Sequence, residues 1–268
     1  MIVDCHTHID FSSDDAAVSE HLSASEPVDH CIVLASPGDC DSEVNTRLSE
    51  YVKKHGSKMV GFAAVNPVAD AVGLKKLRAV TEKLGLKGVV LYCCDAGFHP
   101  AHTKAMRLYE SVSELGLPVF FHNGGPLNSN SIMDYAQPYL LDEVARTFPE
   151  LKIIVGDMGF PFLYQTLSLV AKHKNVYADL AVRAGQVWGV YNLVMSAYEQ
   201  GTLGKLLFGS GFPAGRADEC IETLLGFNNL LVDTSLPTVP RGEIRGIIER
   251  DSLGLLGIAK EETPAIER

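Results

Sequence analysis

Clustered positive charge and long apolar runs are both absent from this sequence. Lys and Arg together number 23 and Asp and Glu number 33, so the formal net charge is −10 with neutral His. Nucleic-acid binding uses clustered positive charge, and no basic run occurs, so we expect neither a nucleic acid nor an anionic membrane surface as a partner. The longest apolar runs have the size of a strand, well short of the about 20 residues that span a bilayer.

Export signals, disulfide patterns and nucleotide-binding glycine motifs are missing as well. No basic stretch precedes an apolar one at the N-terminus, and Asp4 interrupts the first apolar run, so we expect no signal peptide. The six cysteines form no Cys-x-x-Cys pair, which predicts reduced thiols and a cytoplasmic location. No Gly-x-Gly-x-x-Gly follows the first strand and no Gly-x-x-x-x-Gly-Lys-Ser/Thr occurs, which argues against a nucleotide-binding open sheet.

Strand-like and helix-like patterns alternate along the 268 residues, of which 46% are apolar. Short apolar runs predict eight strands, the first directly before His6 and the others at 29–35, 59–65, 88–93, 118–121, 151–155, 176–180 and 206–208. Helical periodicity follows each strand, at 14–26, 42–55, 71–84, 103–115, 140–148, 162–173, 187–200 and 218–232. The pattern predicts one α/β domain over residues 1–260, a single (β/α)8 barrel of the TIM type, with a charged tail at 261–268. An open parallel sheet is the alternative, because closure cannot be read from a pattern.

The first strand runs into His6-Thr7-His8. Side chains alternate along a strand, so the two histidines project to the same face. Two imidazoles at a strand end form half of a site for Zn or another divalent transition metal, and one or two further ligands would complete it. A polar strand end with locally hydrogen-bonded histidines fits the same three residues.

In a barrel the chemistry lies at the carboxyl ends of the strands, and other predicted strands also end in reactive side chains. These are Cys93 and Asp95 after strand four, His122 after strand five, Asp157 after strand six, Asp179 and Arg183 after strand seven, and Arg216 after strand eight. Three imidazoles and a carboxylate would make a four- or five-coordinate metal site. We predict the two arginines, Cys93 and Asp95 as substrate contacts, since Arg binds carboxylates through two hydrogen bonds. Asp179 is a candidate for holding a histidine ring from behind.

Six motifs, in this order and spacing, resemble those of the amidohydrolase superfamily, specifically the branch called amidohydrolase family 2. They are DCHTH at 4–8, LKGVVL at 86–91, LPVFFHNG at 117–124, FPELKIIVGDMG at 148–159, NVYADLA at 175–181 and LLFGSGFP at 206–213. The branch includes metal-dependent hydrolases, lactonases and relatives of aminocarboxymuconate-semialdehyde decarboxylase. The resemblance implies a distorted barrel in which His6, His8 and His122 hold a metal ion.

Two positions depart from the pattern that the resemblance implies. Asp157 stands where strand six often ends in His, and Gly211 stands where strand eight ends in the Asp that binds metal and accepts a proton from the attacking water. Glycine supplies neither a ligand nor a base, and general-base help is worth about 10²–10⁴-fold in rate. We hypothesise that Asp157 replaces the missing carboxylate as both metal ligand and proton acceptor. A capping role for Asp157 in the segment that follows it is the alternative.

The predicted function is that of a metal-dependent hydrolase, with one divalent ion, Zn by preference, activating water against a small ester, lactone or amide. A non-oxidative decarboxylase of the same family is the first alternative. The second is a binding protein whose catalytic site has decayed, because of Gly211. The expected partner is a small molecule, and assembly into a homo-oligomer is left open.

Overall fold

The computed structural model describes residues 1–11, 15–69, 72–122, 127 and 129–258. The predicted tail at 261–268 lies outside these residues. Eight strands are present, namely β1 (Val3–Thr7), β2 (His30–Leu34), β3 (Met59–Ala64), β4 (Gly88–Leu91), β5 (Val119–Phe121), β6 (Ile153–Val155), β7 (Val176–Asp179) and β8 (Leu206–Leu207).

The strands form one parallel sheet in which each pairs with its neighbours in chain order. Backbone hydrogen bonds then join the end of the sheet to its beginning. The Cys5 N–H donates to the Phe208 carbonyl across 2.8 Å, and the Gly211 N–H donates to the His6 carbonyl across 2.9 Å. The predicted (β/α)8 barrel is therefore confirmed, and the open-sheet alternative is wrong.

Helices lie between the strands and after the last one. They are α1 (Asp15–Ala24), α2 (Glu43–Lys54), α3 (Leu74–Glu82), α4 (Cys93–Ala96), α5 (Thr103–Glu114), α6 (Leu141–Thr147), α7 (Leu163–Lys172), α8 (Val187–Glu199), α9 (Ala217–Gly226), α10 (Arg241–Ile248) and α11 (Ser252–Leu256). Short 3-10 helices occur at Met133–Ala136, Pro138–Leu140, Gly156–Gly159, Leu203–Lys205 and Phe227–Leu231. Among the described residues, no helix is both long and apolar enough to cross a membrane.

The core has two layers, the barrel interior and the space between strands and helices. The central strands are buried at every position, as in β4, β5 and β6, because a parallel sheet covered by helices has no solvent face. Helix α5 buries Ala105, Leu108, Tyr109 and Val112, whose spacing of three or four residues places them on one face. This packing fixes the strand ends from which the candidate site is built.

Most predicted elements differ from the structure by one to three residues at their ends, and two differ in kind as well. Strand four ends at Leu91 instead of 93, and the chain turns at once into the short helix α4. The helix predicted at 218–232 ends as α9 at Gly226 and continues as a 3-10 helix to Leu231. The first difference changes the position of a predicted site residue.

Candidate metal site

Three imidazoles converge at the carboxyl end of the barrel. His6 lies in β1, His8 follows it, and His122 follows β5. The Nε2 atom of His8 lies 3.1 Å from Nε2 of His6 and 3.2 Å from Nε2 of His122. The three ring centroids are 5.0–5.1 Å apart, so the rings surround a common point. Their ligand atoms all lie within 4.8 Å of one another.

In two of these rings the second nitrogen, Nδ1, forms a hydrogen bond that orients the ring. His6 Nδ1–H donates to Asp179 Oδ1 across 3.0 Å, and His8 Nδ1–H donates to the Leu34 carbonyl across 3.1 Å. Since a carboxylate and a carbonyl only accept, these contacts place a hydrogen on Nδ1, so in the neutral form of each ring the lone pair is on Nε2. Two lone pairs 3.1 Å apart repel unless a cation or a proton lies between them.

A metal ion fits this donor set. Nitrogen atoms bound to one Zn at about 2.0–2.1 Å with tetrahedral angles would be about 3.3–3.4 Å apart. The observed separations of 3.1 and 3.2 Å are close to this value. The hydrogen bonds to Nδ1 are also the contacts that orient histidine ligands in metal proteins.

The charges around the rings favour a cation. Burial lowers the pKa of His6, but the carboxylates of Asp179, Asp157 and Asp4 outweigh it and raise this pKa to about 9. Burial and the neighbouring imidazoles lower the pKa of His8 well below its usual range, and burial with His6 lowers that of His122 to about 4. Two of the three rings are therefore neutral at pH 7, the form that binds metal.

Asp4 is a buried carboxylate that was not predicted to belong to the site. Its Oδ1 accepts from the Ser210 N–H across 2.9 Å and from the His6 N–H across 3.2 Å. Burial raises its pKa to about 6, against the hydrogen bonds from Ser210. Asp4 thus ties the end of the barrel after β8 to the first histidine. The available signal was a carboxylate inside an apolar strand, two residues before the His-x-His pair.

Asp157 lies beside the histidine cluster without being a member of it. Asp157 and the three histidines line one cavity. The group whose metal-binding atoms all lie within 4.8 Å of one another, however, contains only the histidines. Asp157 has left-handed backbone angles (φ 48°, ψ 35°), and its N–H donates to Asp179 Oδ2 across 2.9 Å. Its own Oδ2 is buried and has no hydrogen-bond partner among the described residues. Burying a carboxylate oxygen without a hydrogen bond destabilises the folded state unless a ligand or a water molecule bonds to it.

The three histidines and Asp157 face a cavity of about 410 Å³, the metal-side cavity. Gly211 and Glu219 also line it; Glu219 projects from α9 and had no motif to mark it. A Cβ built on Gly211 would meet nothing closer than Ala181 Cβ at 3.6 Å, so the position expected to carry an Asp has room for a Cβ atom.

Of the four predicted substrate contacts, Arg183 lines the metal-side cavity and the other three lie elsewhere. Arg183 lines the metal-side cavity, and its guanidinium carbon lies 5.5 Å from the centre of the Phe160 ring. Arg216 does not line it and instead lies with Nε 3.5 Å from Asp218 Oδ1. Arg216 directly precedes α9 and pairs with an aspartate of that helix, so its role as a substrate contact stays a prediction.

The two predicted contacts that follow strand four also lie away from this cavity. Cys93 has no exposed surface, because strand four ends early and α4 turns its thiol into the core. Asp95 is exposed and accepts a hydrogen bond from Ser131 Oγ at 2.6 Å. Neither lines the metal-side cavity. The side chain that β4 brings close is Tyr92, with its ring 4.8 Å from that of His122.

A parallel eightfold barrel with histidines converging at its carboxyl end defines a class of metal-dependent barrel proteins. The family model for amidohydrolases, Amidohydro_2, matches residues 3–229. The chain therefore belongs to the amidohydrolase family, whose members are metal-dependent enzymes. No curated protein sequence matches the chain.

Solved structures of the same fold include hydrolases and decarboxylases. A probable 2-pyrone-4,6-dicarboxylic acid hydrolase from Acinetobacter baumannii aligns with a TM-score of 0.68 at 16% identity, over 96% of this chain and 99% of that one. The 5-carboxyvanillate decarboxylase of Novosphingobium aromaticivorans, solved with manganese, aligns with a TM-score of 0.66 at 11% identity, over 96% and 97%. An uncharacterised TIM-barrel protein from Bordetella bronchiseptica gives 0.67 at 16%, over 96% and 98%. These likenesses show the shared fold.

Proposed function

We propose that this protein is a metal-dependent hydrolase of a small ester, lactone or amide, with His6, His8 and His122 holding one divalent ion, Zn by preference. The convergence of the three Nε2 atoms carries this proposal. When bound, such an ion polarises a carbonyl group and lowers the pKa of water to about 7. We further propose a cytoplasmic location, which is supported by six cysteines that are all buried and free.

The residues of this chain supply the remaining roles. Asp157 Oδ2 is the buried acceptor without a partner at the cavity wall, so we assign it to take the proton from the attacking water. Arg183 is half-buried, lines the cavity and forms no ion pair among the described residues. Its guanidinium is therefore free to bind an anionic group of the substrate and orient its carbonyl.

Asp157→Asn tests the proton acceptor. The amide keeps the size of the side chain but cannot take a proton, so we expect turnover of a hydrolysed ester or lactone to fall by about 10²–10⁴-fold. Because Asp157 lies outside the three-histidine group, metal content should stay close to one equivalent per chain by elemental analysis. Unchanged turnover would remove Asp157 as the base, and loss of the metal would show that it is a ligand.

The second candidate is a non-oxidative decarboxylase, which Arg183 favours because an unpaired cation in the cavity suits a carboxylate substrate. The names of structural neighbours include both reactions. The two chemistries differ in their use of water. Hydrolysis in ¹⁸O-labelled water incorporates label into the acid product, whereas decarboxylation releases carbon dioxide with no label in the organic product.

A further inference from the structure

A second cavity, which we call the side cavity, opens next to the metal-side cavity. It has a volume of about 340 Å³ and lies between the turn after β6, the end of β7 and helix α8. Most of its lining is apolar, including Met158, Leu163, Leu180, Val190 and Leu193. A formed apolar cavity of this size is typical of a small-molecule site.

The two cavities share a wall. Asp157, Ala181, Val182, Arg183 and Gln186 line both. The two cavities are therefore adjacent, and the small side chain of Ala181 lies on the wall that they share. Asp157 Oδ2, which has no hydrogen-bond partner among the described residues, and the Arg183 guanidinium both lie on this wall.

Exposed aromatic side chains mark the outer part of the side cavity. Phe160 is 56% exposed and Tyr164 is 67% exposed, and both line it. The Arg183 guanidinium stacks over the Phe160 ring. Large aromatic surface left in water is unfavourable, and an apolar group bound in the side cavity would cover part of it.

We propose that the side cavity binds an apolar acyl or alkyl arm of the substrate, while the carbonyl group lies at the histidines and Arg183 pairs with an anionic group at the shared wall. The inference rests on the proposed function, to which it adds the substrate class, a carbonyl compound with an apolar arm. Burial of each methylene is worth about 0.8 kcal/mol, so affinity should rise about fourfold per added methylene until the cavity is full.

The test measures the binding of straight-chain carboxylates from acetate to octanoate to the zinc-loaded protein by calorimetry. We expect affinity to rise about fourfold per methylene along the series. In Gly189→Leu this rise should flatten, because Gly189 lines the side cavity and its added Cβ would meet only Gln186 Cβ, at 3.9 Å. Leu193→Gln, which makes the lining polar, should flatten it too.

Matched variants control for the substitutions themselves. Gly246 lies in α10, where an added Cβ would meet nothing within 4 Å, so Gly246→Leu makes the same change outside both cavities. Leu225 in α9 is half-buried like Leu193 and lines neither cavity, so Leu225→Gln controls for the polar change. Both controls should keep the rise seen in the unmodified protein.

An affinity independent of chain length in the unmodified protein, or a rise that survives in both Gly189→Leu and Leu193→Gln, would overturn the inference. Arg183→Gln should lower the affinity of every carboxylate by a similar factor and leave the rise intact; an unaltered affinity would remove the ion pair from the proposal. Binding needs no turnover. A chain-length preference without hydrolysis of esters that carry the same chain and a free carboxylate would thus contradict the hydrolase alone, and hydrolysis without the preference would contradict the side cavity alone.

Discussion

At the scale of single residues, the histidine cluster depends on Asp179. This carboxylate is fully buried and accepts three hydrogen bonds, from His6 Nδ1, from the Asp157 N–H and from the Ala181 N–H. It therefore fixes the His6 ring and also the backbone that presents the Asp157 side chain.

Asp179→Asn should weaken metal binding by about 10–100-fold, because the neutral amide orients and polarises the His6 ring less well than the carboxylate. Titration of the metal-free protein with zinc measures the change. Asp218→Asn is the matched control, since Asp218 pairs with Arg216 away from the histidines. Equal zinc affinity in Asp179→Asn and the unmodified protein would contradict the role given to Asp179.

Gly211→Asp tests whether Asp157 has taken over the missing carboxylate. Gly211 has a φ of +65°, a region that Asp tolerates better than most residues, and its neighbourhood leaves room. We expect only a few-fold change in turnover in the unmodified chain but recovery of about tenfold or more in Asp157→Asn, where a base is lacking. A large gain in the unmodified chain would instead favour a decayed site.

Some residues of the site could be predicted from the sequence because their signal is local. His6 and His8 lie two residues apart at the end of one strand, and His122 directly follows another, so strand prediction alone placed them at one end of the barrel. Their role as ligands stays a prediction. Asp4 could not be assigned in this way, because its partner Ser210 is 206 positions away and meets it only after the barrel closes.

At the scale of elements, the contact between β1, β7 and the end of β8 has no spare room. A Cβ built on Gly209 would lie 2.8 Å from Asp179 Oδ1 and 2.9 Å from His6 Cβ. Both distances are shorter than a normal van der Waals contact. The atoms belong to Asp179 and His6, whose hydrogen bond orients the His6 ring.

Gly209→Ala should therefore lower the free energy of unfolding by about 1–3 kcal/mol, as is usual for overpacking, and weaken zinc binding together with it. Urea unfolding and zinc titration measure the two effects. Gly204→Ala is the control, because an added Cβ there meets nothing within 4 Å. A Gly209→Ala variant as stable as Gly204→Ala would show that the strands move apart without cost.

The positions of elements were easier to predict than their ends. Apolar runs predicted the positions of all eight strands. The run at 88–93, however, continues beyond Leu91, where β4 ends and the chain turns into α4. Helix α4 ends at Gly97, which has the left-handed conformation. An apolar run predicts buried residues, and these can belong either to the end of a strand or to a buried turn. The prediction that strand four reaches Cys93 was wrong because of this ambiguity.

At the scale of the whole molecule, the count of eight alternating units indicated a barrel, but closure depends on contacts that no local pattern contains. The hydrogen bonds of Cys5 with Phe208 and of Gly211 with His6 connect residues about 200 positions apart. The same closure brings Asp179 of β7 against His6 of β1. The packing that closes the barrel therefore also orients the ring of His6.

The outer layer of the barrel also gives a prediction for acid stability. Asp142 in α6 accepts hydrogen bonds from Lys172 Nζ at 2.5 Å and His173 Nε2 at 2.7 Å, at the end of α7, and from Arg146 Nε at 3.0 Å. The bonds from Lys172 and His173 hold the pKa of the Asp142 carboxyl well below its usual range. Because the folded-state pKa is depressed, the stabilisation is complete above the unfolded pKa of about 4 and is lost as the pH falls below it.

Asp142→Asn should accordingly lower the free energy of unfolding at pH 7 by up to about 1 kcal/mol, a modest value because the carboxylate is partly exposed and screened by water. The difference from the unmodified protein should shrink as the pH is lowered from 5 toward 2, since protonation makes the two side chains alike. Urea unfolding at pH 7, 5 and 3 measures it, with Asp233→Asn, a change at an exposed aspartate outside α6 and α7, as the control. A difference that stays constant or grows as the pH falls would show that Asp142 stabilises this side of the barrel by shape and not by charge.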